Sequence, residues 1–331
     1  MKTKTVLITG ITGFVGSHLA DYILANVKNV KIIGLIRWRA PKDNINRILD
    51  RITLEYGDLL DLPSLESVIG RYRPDVIFHL AAQSYVDFSF VAPVATLSTN
   101  IIGTTNLLEA VKKLKLSSGY DPVVHICSSS EVYGQVKKGE VPIKEDNQLR
   151  PASPYAVSKV GEDMLALQYW LSWKIKTIRT RMFTHTGPRR GDVFALSNFA
   201  KQIAAIEAGK QPPVVKVGNL KSVRTWMDVR DAVEAYWILV NKCKPGEVYN
   251  IGGNQTMTVG MMLNKLLKLS KKKIAVKVDN QRLRPSDVTL QIPSTDKFKK
   301  ATGWSPKIKF EKTLLDTLEY WREYYKKCHR A

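Results

Sequence analysis

The sequence has few cysteines, few acidic residues and no long uncharged hydrophobic run. Its three cysteines, Cys127, Cys243 and Cys328, lie far apart and form no C-x-x-C motif. Such a set does not indicate a disulfide framework, so we expect a protein of a reducing compartment, the cytoplasm. No stretch approaches about 18 uncharged apolar residues, and the chain opens directly on a strand-like run. We therefore expect neither a membrane span nor a signal peptide.

Acidic residues number 30 against 51 lysines and arginines, which gives the 331-residue chain a net charge of +21. This excess indicates an anionic partner. Clusters at 271–273, 299–300 and 326–327 keep nucleic-acid binding open as an alternative. However, the charges are spread along the chain without a zinc, RRM-like or basic-zipper motif, so we expect no nucleic-acid partner. No His, Cys or carboxylate spacing suggests a metal site.

Short apolar runs alternate with helix-like stretches over the first 180 residues. The predicted strands are 6–9, 30–36, 76–80, 123–127 and 176–181, and the clearest helices are 14–27, 96–116 and 154–173. This alternation predicts βαβ units and a Rossmann-type, doubly wound parallel sheet.

The later chain is less regular, with a helix pattern at 228–241, a strand at 248–251 and a final helix at 310–327. We expect two interleaved α/β units. The dinucleotide-binding domain would comprise 1–180 and about 226–253, and the smaller substrate lobe would comprise about 181–225 and 254–331.

A glycine-rich turn follows the first strand with the spacing G-x-x-G-x-x-G at Gly10, Gly13 and Gly16. Gly10 permits a tight turn, Gly13 permits a close approach of backbone N–H groups to a pyrophosphate, and Gly16 permits close helix packing. The N-terminus of the following helix favours the anion. Three further residues of the turn and the first helical turn are predicted to bind the cofactor: Thr12, Phe14 and Val15.

The end of the second predicted strand carries Arg37 where an acidic residue would bind the ribose of NAD. An arginine suits a 2′-phosphate, so we predict NADP, with NAD less favoured. A solvated surface arginine is the alternative reading. Asp58 and Leu59 lie between the predicted strands at 30–36 and 76–80, where we expect them to face the adenine.

Tyr155 and Lys159 are four residues apart near a helix start and share one helix face. A nearby ammonium favours the phenolate and makes the tyrosine a usable base. Ser129 and Glu131 follow the predicted strand at 123–127, at the ligand edge of a parallel sheet. The serine would bind a substrate hydroxyl, and the carboxylate would act as a general acid or base.

Together with 79–83 and 249–253, these motifs resemble the extended short-chain dehydrogenase/reductases that act on nucleotide sugars, over essentially the whole chain. The resemblance implies cofactor contacts at Leu80, Ala81 and Ala82. Residues 181–191 resemble the segment of GDP-mannose 4,6-dehydratases that bridges nicotinamide and sugar. This implies a cofactor contact at His185 and a sugar contact at Thr184.

Residues 217–226 and 283–287 resemble the GDP-holding segments of the same family. The family pattern thus implies a GDP-sugar substrate, and the further substrate-binding residues that it implies are Ser84, Asn198, Val217, Arg224, Arg284 and Asp287.

Residues 38–45 and 182–194 are most similar to the branch that acts on GDP-D-glycero-α-D-manno-heptose. Thr184 replaces the usual Asn of the GDP-mannose enzymes, which leaves heptose against hexose open. Ser129 replaces their usual Thr and preserves the hydroxyl.

The resemblance implies a 4,6-dehydratase with an internal hydride cycle and a homodimer or homotetramer built on the helices at 96–116 and 154–173. Related 4-reductases share many of these segments, Glu131 included, so a 4-reductase or a 4-epimerase on the same scaffold remains an alternative.

Overall fold

The computed structural model describes residues 3–283 and 288–327. Its strands are β1 (Lys4–Thr9), β2 (Val30–Ile36), β3 (Thr53–Tyr56), β4 (Val76–His79), β5 (Val123–Ser129), β6 (Lys176–Met182), β7 (His185–Thr186), β8 (Val214–Val217), β9 (Val223–Asp228), β10 (Val248–Ile251), β11 (Gln255–Thr258), β12 (Ala275–Val278) and β13 (Leu290–Gln291). Its helices are α1 (Phe14–Asn26), α2 (Leu62–Tyr72), α3 (Val86–Val91), α4 (Pro93–Leu97), α5 (Gly103–Ser118), α6 (Pro154–Trp173), α7 (Ala195–Glu207), α8 (Val229–Lys242), α9 (Val259–Leu267), α10 (Asp296–Thr302) and α11 (Phe310–Lys327). No helix of these described ranges has the length and apolar character to cross a membrane.

The main sheet has seven strands in the order β10-β6-β5-β4-β1-β2-β3. Every neighbouring pair is parallel. The order reverses beside β1, which is where a doubly wound sheet opens a crevice at the carboxyl ends of its strands. The predicted Rossmann-type fold is therefore confirmed.

Helices cover both faces of this sheet, and alternating side chains of each strand pack against them. Val6 and Ile8 of β1 join the hydrophobic cluster that contains α1 and α8. Leu7, between them, joins the cluster that contains α2, α5 and α6. Because both faces are buried, the strands are continuous apolar runs, which is why the sequence predicted them well.

A separate hydrophobic cluster forms the core of the smaller lobe, which we define as α7, α9 and α11 with β8 and β9. Its large members include Phe199, Trp226, Leu314 and Trp321. In this lobe β9 pairs with β11 in antiparallel and with β13 in parallel orientation. The second pairing places Leu290 beside Val223 and Gln291 beside Arg224.

The helix predicted at 96–116 differs from the observed one. The segment runs as α4, a π-helical turn at Ser98–Ile102, and α5. The turn carries Asn100, whose amide donates to Gln83 O at 3.0 Å and to Ser158 Oγ at 2.8 Å. The side-chain oxygen Oδ1 of Asn100 accepts from Gln83 N at 2.8 Å. The turn thus connects α6 to the loop after β4.

Candidate active site

One cavity of about 1230 Å³ opens at the carboxyl ends of the central strands. Residues of the glycine turn, of the ends of β4 and β5, and of α6 line one side of it, and α7 and β9 line the other. Pockets for a single small ligand have about 300–1,000 Å³, so this cavity has room for a dinucleotide and a second ligand.

The glycine turn has the geometry that a pyrophosphate requires. Gly10 has φ +71°, and a Cβ there would lie 2.9 Å from the backbone of Ala81. A Cβ on Gly16 would lie 2.3 Å from the Gly10 carbonyl oxygen. Side chains at these positions would force the turn apart, because backbone atoms occupy the space.

The start of α1 faces the same cavity and has no side-chain cap at Gly13. Its first N–H groups and the helix dipole are therefore suited to a phosphate anion. Thr12, Phe14 and Val15 line the cavity here. Asn44 holds the turn from behind by donating to Thr12 O at 2.9 Å.

His185 lies against this helix start. Its ring stacks on Phe14 with a centroid separation of 5.9 Å, and its Nδ1 lies 3.1 Å from Phe183 O. Its Nε2 is buried with no hydrogen-bond partner among the described residues. Burial and the Arg190 cation lower the pKa of His185 to about 3, so the ring is neutral at pH 7. A bound dinucleotide at the start of α1 would offer His185 Nε2 the hydrogen-bond partner that it lacks.

The carboxyl end of β4 forms the floor of the cavity. Thr9 Oγ1 accepts from Leu80 N at 3.1 Å and from Ala81 N at 3.0 Å. These bonds fix the backbone of the loop after β4 beside the glycine turn. Leu80, Ala81 and Ala82 line the cavity, and their contacts with a cofactor stay a prediction.

The far end of the cavity carries the residues expected at the adenosine. Arg37 follows β2 with an exposed side chain, and Asp58 and Leu59 follow β3. Asp58 Oδ1 accepts from Leu60 N at 2.9 Å, and Leu59 O accepts from Asn106 at 2.8 Å. Arg37 therefore lies at the edge of the cavity directly after β2, and its contact with a 2′-phosphate stays a prediction.

Tyr155 and Lys159 lie on the inner face of α6 and are 8% and 5% exposed. The helix begins behind Ser153, whose side chain accepts from Ala156 N at 3.0 Å. Lys159 Nζ lies 6.0 Å from the Tyr155 ring centroid. Burial raises the pKa of the Tyr155 phenol, while the Lys159 ammonium and a hydrogen bond with Ser129 act in the opposite direction.

Ser129 and Glu131 stand at the end of β5 in the same cavity. The strand extends two residues beyond its predicted end because Ser128 and Ser129 pair with Arg181 and Met182 of β6. Ser129 Oγ then accepts from Glu131 N at 3.2 Å and caps a short turn at Ser130–Tyr133. Glu131 Oε1 accepts from Gln291 Nε2 at 3.1 Å.

The other predicted substrate residues fall into three groups. Ser84, Thr184, Asn198 and Arg224 line the cavity. Val217 does not: alternation along β8 turns its side chain inward, where it is fully buried in the core of the smaller lobe, and the neighbouring Gly218 lines the cavity instead. Arg284 and Asp287 lie outside the described residues.

Sequence reasoning missed several cavity residues. Arg190 lies within 4.9 Å of the ring centroid of Phe14 and 3.7 Å of that of Phe194, where burial lowers the pKa of its guanidinium to about 10. Arg282 donates to Asn198 Oδ1 at 2.9 Å. Arg190 could have been found, because it lies inside the segment 181–191 that resembles the family. Gln291 could not, because it lies 160 positions after its partner Glu131 and belongs to no motif.

The parallel sheet, the glycine turn and the Ser129/Tyr155/Lys159 set define an extended short-chain dehydrogenase/reductase fold. A model of the family described as GDP-mannose 4,6 dehydratase matches residues 7–317. The chain therefore belongs to the GDP-mannose 4,6-dehydratase family.

Similar proteins include enzymes of more than one activity. GDP-6-deoxy-D-mannose reductase of Pseudomonas aeruginosa is 31% identical and aligned over 96% of this chain and 97% of its own. GDP-mannose 4,6-dehydratase of Vibrio cholerae is 29% identical over 92% and 90%. The structure of RMD from Pseudomonas aeruginosa complexed with NADPH has a TM-score of 0.83 at 31% identity, covering 97% of this chain and 100% of that one. A Bacillus anthracis dTDP-glucose 4,6-dehydratase in complex with NAD has a TM-score of 0.82 at 28% identity, covering 98% of each chain.

Proposed function

We propose that this protein is an NADP-dependent GDP-sugar 4,6-dehydratase, a hydro-lyase that forms the GDP-4-keto-6-deoxy sugar. The observation that carries the proposal is the match of residues 7–317 to the GDP-mannose 4,6-dehydratase family, and Glu131 supplies the second proton acceptor that the reaction requires. Its carboxylate lines the same cavity as Ser129, Tyr155 and Lys159, next to the place where a sugar would meet the nicotinamide. Elimination of water needs such a second proton acceptor beside the oxidation site.

In the proposed reaction, the phenolate of Tyr155 takes the proton of the 4-hydroxyl, which Ser129 holds by a hydrogen bond. When bound, the nicotinamide supplies the acceptor for the hydride of carbon 4 and the donor for carbon 6. The 4-ketone acidifies carbon 5, and Glu131 removes the proton there. The two protons held by Tyr155 and Glu131 then return, one to the leaving 6-hydroxyl and one to carbon 5, so both residues end as they began.

We propose NADP rather than NAD because Arg37 ends β2 where NAD enzymes of this fold place an acid. A guanidinium beside a 2′-phosphate forms charge-assisted, bidentate hydrogen bonds. The similar Pseudomonas aeruginosa structure holds NADPH, while the Bacillus anthracis structure holds NAD. The preference therefore rests on the charge of Arg37 in this chain.

The proposed substrate is GDP-D-glycero-α-D-manno-heptose, with GDP-mannose as the hexose alternative. Arg224 and Arg282 line the lobe side of the cavity and suit a diphosphate. Thr184 lies in the loop between β6 and β7, where we propose that it contacts the sugar. Threonine is shorter than the asparagine usual in the mannose enzymes, which leaves space for the extra carbon of a heptose.

A 4-reductase on the same scaffold is a second candidate, favoured by the full-length similarity to GDP-6-deoxy-D-mannose reductase. It would consume added NADPH in step with a 4-keto substrate. A 4-epimerase would interconvert sugars without losing water. The proposed dehydratase consumes no added NADPH, because its hydride returns to the same substrate molecule. It differs from an epimerase in that it releases water.

We further propose a cytoplasmic homodimer or homotetramer in which 1–180 and about 226–253 bind the cofactor and the remaining chain binds the nucleotide sugar. Several apolar side chains along the helices of 91–171 are exposed to solvent: Val91, Val94, Ile102, Val157 and Leu171. Such a face suits self-association. Light scattering of the purified protein at several concentrations gives the oligomeric state.

The test of the proposed function is the substitution Glu131→Gln. We expect this variant to bind NADP and the GDP sugar with wild-type affinity and to form no 4-keto-6-deoxy product, because the amide cannot accept the carbon 5 proton. Calorimetry measures binding, and mass spectrometry measures product. The matched control is Glu311→Gln, an exposed carboxylate paired with Lys265 at the start of α11. Product formation by Glu131→Gln at the wild-type rate would show that the assigned role is wrong.

A further inference from the structure

The ammonium of Lys159 is held by two acceptors. It donates to Cys127 O at 2.8 Å and to Glu162 Oε2 at 2.9 Å. Glu162 is 1% exposed and follows Lys159 by three residues, so the α-helix itself places the two side chains together. A buried carboxylate therefore touches the cation on which the base Tyr155 depends.

The next carboxylate of α6 behaves differently. Asp163 uses both oxygens, with Oδ1 accepting from Arg179 at 2.9 Å and Oδ2 from Arg181 at 2.8 Å. Glu162 uses only one, and its Oε1 is buried with no hydrogen-bond partner among the described residues. A half-satisfied buried carboxylate costs stability, so a structural role alone does not account for Glu162.

The groups around this pair leave Glu162 as the negative charge nearest to the ammonium. Burial raises the pKa of Glu162 to about 7, and Lys159 opposes that shift. Burial would lower the pKa of Lys159, but Glu162 and Tyr155 hold it above its usual range. Asp163 is engaged by the two arginines of β6. Four further titratable groups around Lys159 and Glu162 are neutral at pH 7, because burial lowers the pKa of two histidines to about 3 and raises the pKa of a thiol and a phenol: His79, His125, Cys127 and Tyr236. Arg190 is a further cation that acts on Tyr155, and none of the variants below changes it.

We propose that Glu162 is a positioning residue that anchors the Lys159 ammonium against the Cys127 carbonyl and limits, by its charge, how strongly that ammonium stabilises the Tyr155 phenolate. This inference rests on the proposed function in that Tyr155 is taken as the base. Ionised Glu162 disfavours the phenolate, and neutral Glu162 favours it. The pH range in which Tyr155 serves as a base is thus set by a carboxylate about two helical turns away from it on α6.

The test substitution is Glu162→Gln, which keeps a carbonyl acceptor for Lys159 Nζ and removes the charge. Ionisation of Tyr155 is followed by ultraviolet titration, subtracting the same protein with Tyr155→Phe in each case. We expect the midpoint of Tyr155 to fall by about one pH unit. The acidic limb of the pH profile for hydride transfer from carbon 4 should move by the same amount.

A second variant and a control keep the test decisive. Glu162→Asp keeps the charge but retracts it by one methylene, so we expect a smaller fall in the same direction. The matched control is Glu109→Gln, which removes the carboxylate of an equally spaced pair with Lys112 on α5 and should leave the Tyr155 midpoint unchanged. An unchanged or raised midpoint in Glu162→Gln, or in Glu162→Asp should the first not fold, overturns the inference.

The titration needs no substrate, so its outcome is independent of the proposed activity. A lowered Tyr155 midpoint in a protein that removes no water from either GDP sugar would contradict the dehydratase assignment and support the role of Glu162. An unchanged midpoint in an active dehydratase would contradict the role of Glu162 and support the dehydratase assignment.

Discussion

Gln291 offers the sharpest test of how the chain holds its proposed base. The residue is 2% exposed on β13, beside Arg224 of β9, and donates to Glu131 Oε1 at 3.1 Å. Gln291→Leu keeps most of the volume and removes this donor. A hydrogen bond to a charged group contributes about 1.5–3 kcal/mol. If half of it serves to orient the carboxylate towards carbon 5, elimination slows about fourfold to tenfold.

The assay separates this step from the one before it. Single-turnover mixing with the GDP sugar follows the absorption of the reduced nicotinamide, and mass spectrometry in deuterated water follows label at carbon 5. We expect reduced nicotinamide to form at the wild-type rate and to accumulate, because Glu131 acts only afterwards. The control is Thr289→Val, two residues before Gln291, which removes an exposed side-chain hydrogen bond to Gln135. Unchanged label uptake and no accumulation in Gln291→Leu would refute the reasoning.

Two further predictions concern the cofactor end of the cavity. Arg37→Ala would remove the proposed charge-assisted bond of about 1.5–3 kcal/mol to the 2′-phosphate, so affinity for NADP should fall about tenfold to a hundredfold while affinity for NAD stays constant. Fluorescence titration measures both, and equal losses would contradict the 2′-phosphate role. Gly16→Ala places a Cβ 2.3 Å from Gly10 O, so we expect lost cofactor binding and a lower Tm. Its control, Gly70→Ala on α2, meets no atom within 4 Å and should gain about 0.4–1 kcal/mol in the free energy of unfolding.

The elements of the main sheet were predictable because their signals are local. Strands buried on both faces read as short apolar runs, and those at 30–36 and 248–251 were predicted to the residue. The helices at 154–173 and 310–327 were also predicted to the residue. The π-helical turn around Asn100 was not, since its bonds to Gln83 and Ser158 join parts of the chain that no local pattern connects.

Site residues followed the same rule. The glycine turn and the Tyr155/Lys159 pair have fixed spacings, so the sequence located them and the structure brings them into one cavity. Val217 was placed at the substrate by its segment, but the alternation of β8 buries it. The contact of Gln291 with Glu131 depends on the pairing of β13 with β9, which only the folded chain reveals.

The central claim is that this chain removes water from a GDP sugar with a cofactor that it regenerates. The direct measurement incubates the purified protein, without added cofactor, with GDP-D-glycero-α-D-manno-heptose and separately with GDP-mannose. Mass spectrometry then follows the nucleotide sugar. We predict loss of the mass of one water from the heptose. Loss from mannose alone would keep the dehydratase and contradict the heptose assignment, and conversion of a 4-keto sugar only when NADPH is supplied would contradict the central claim.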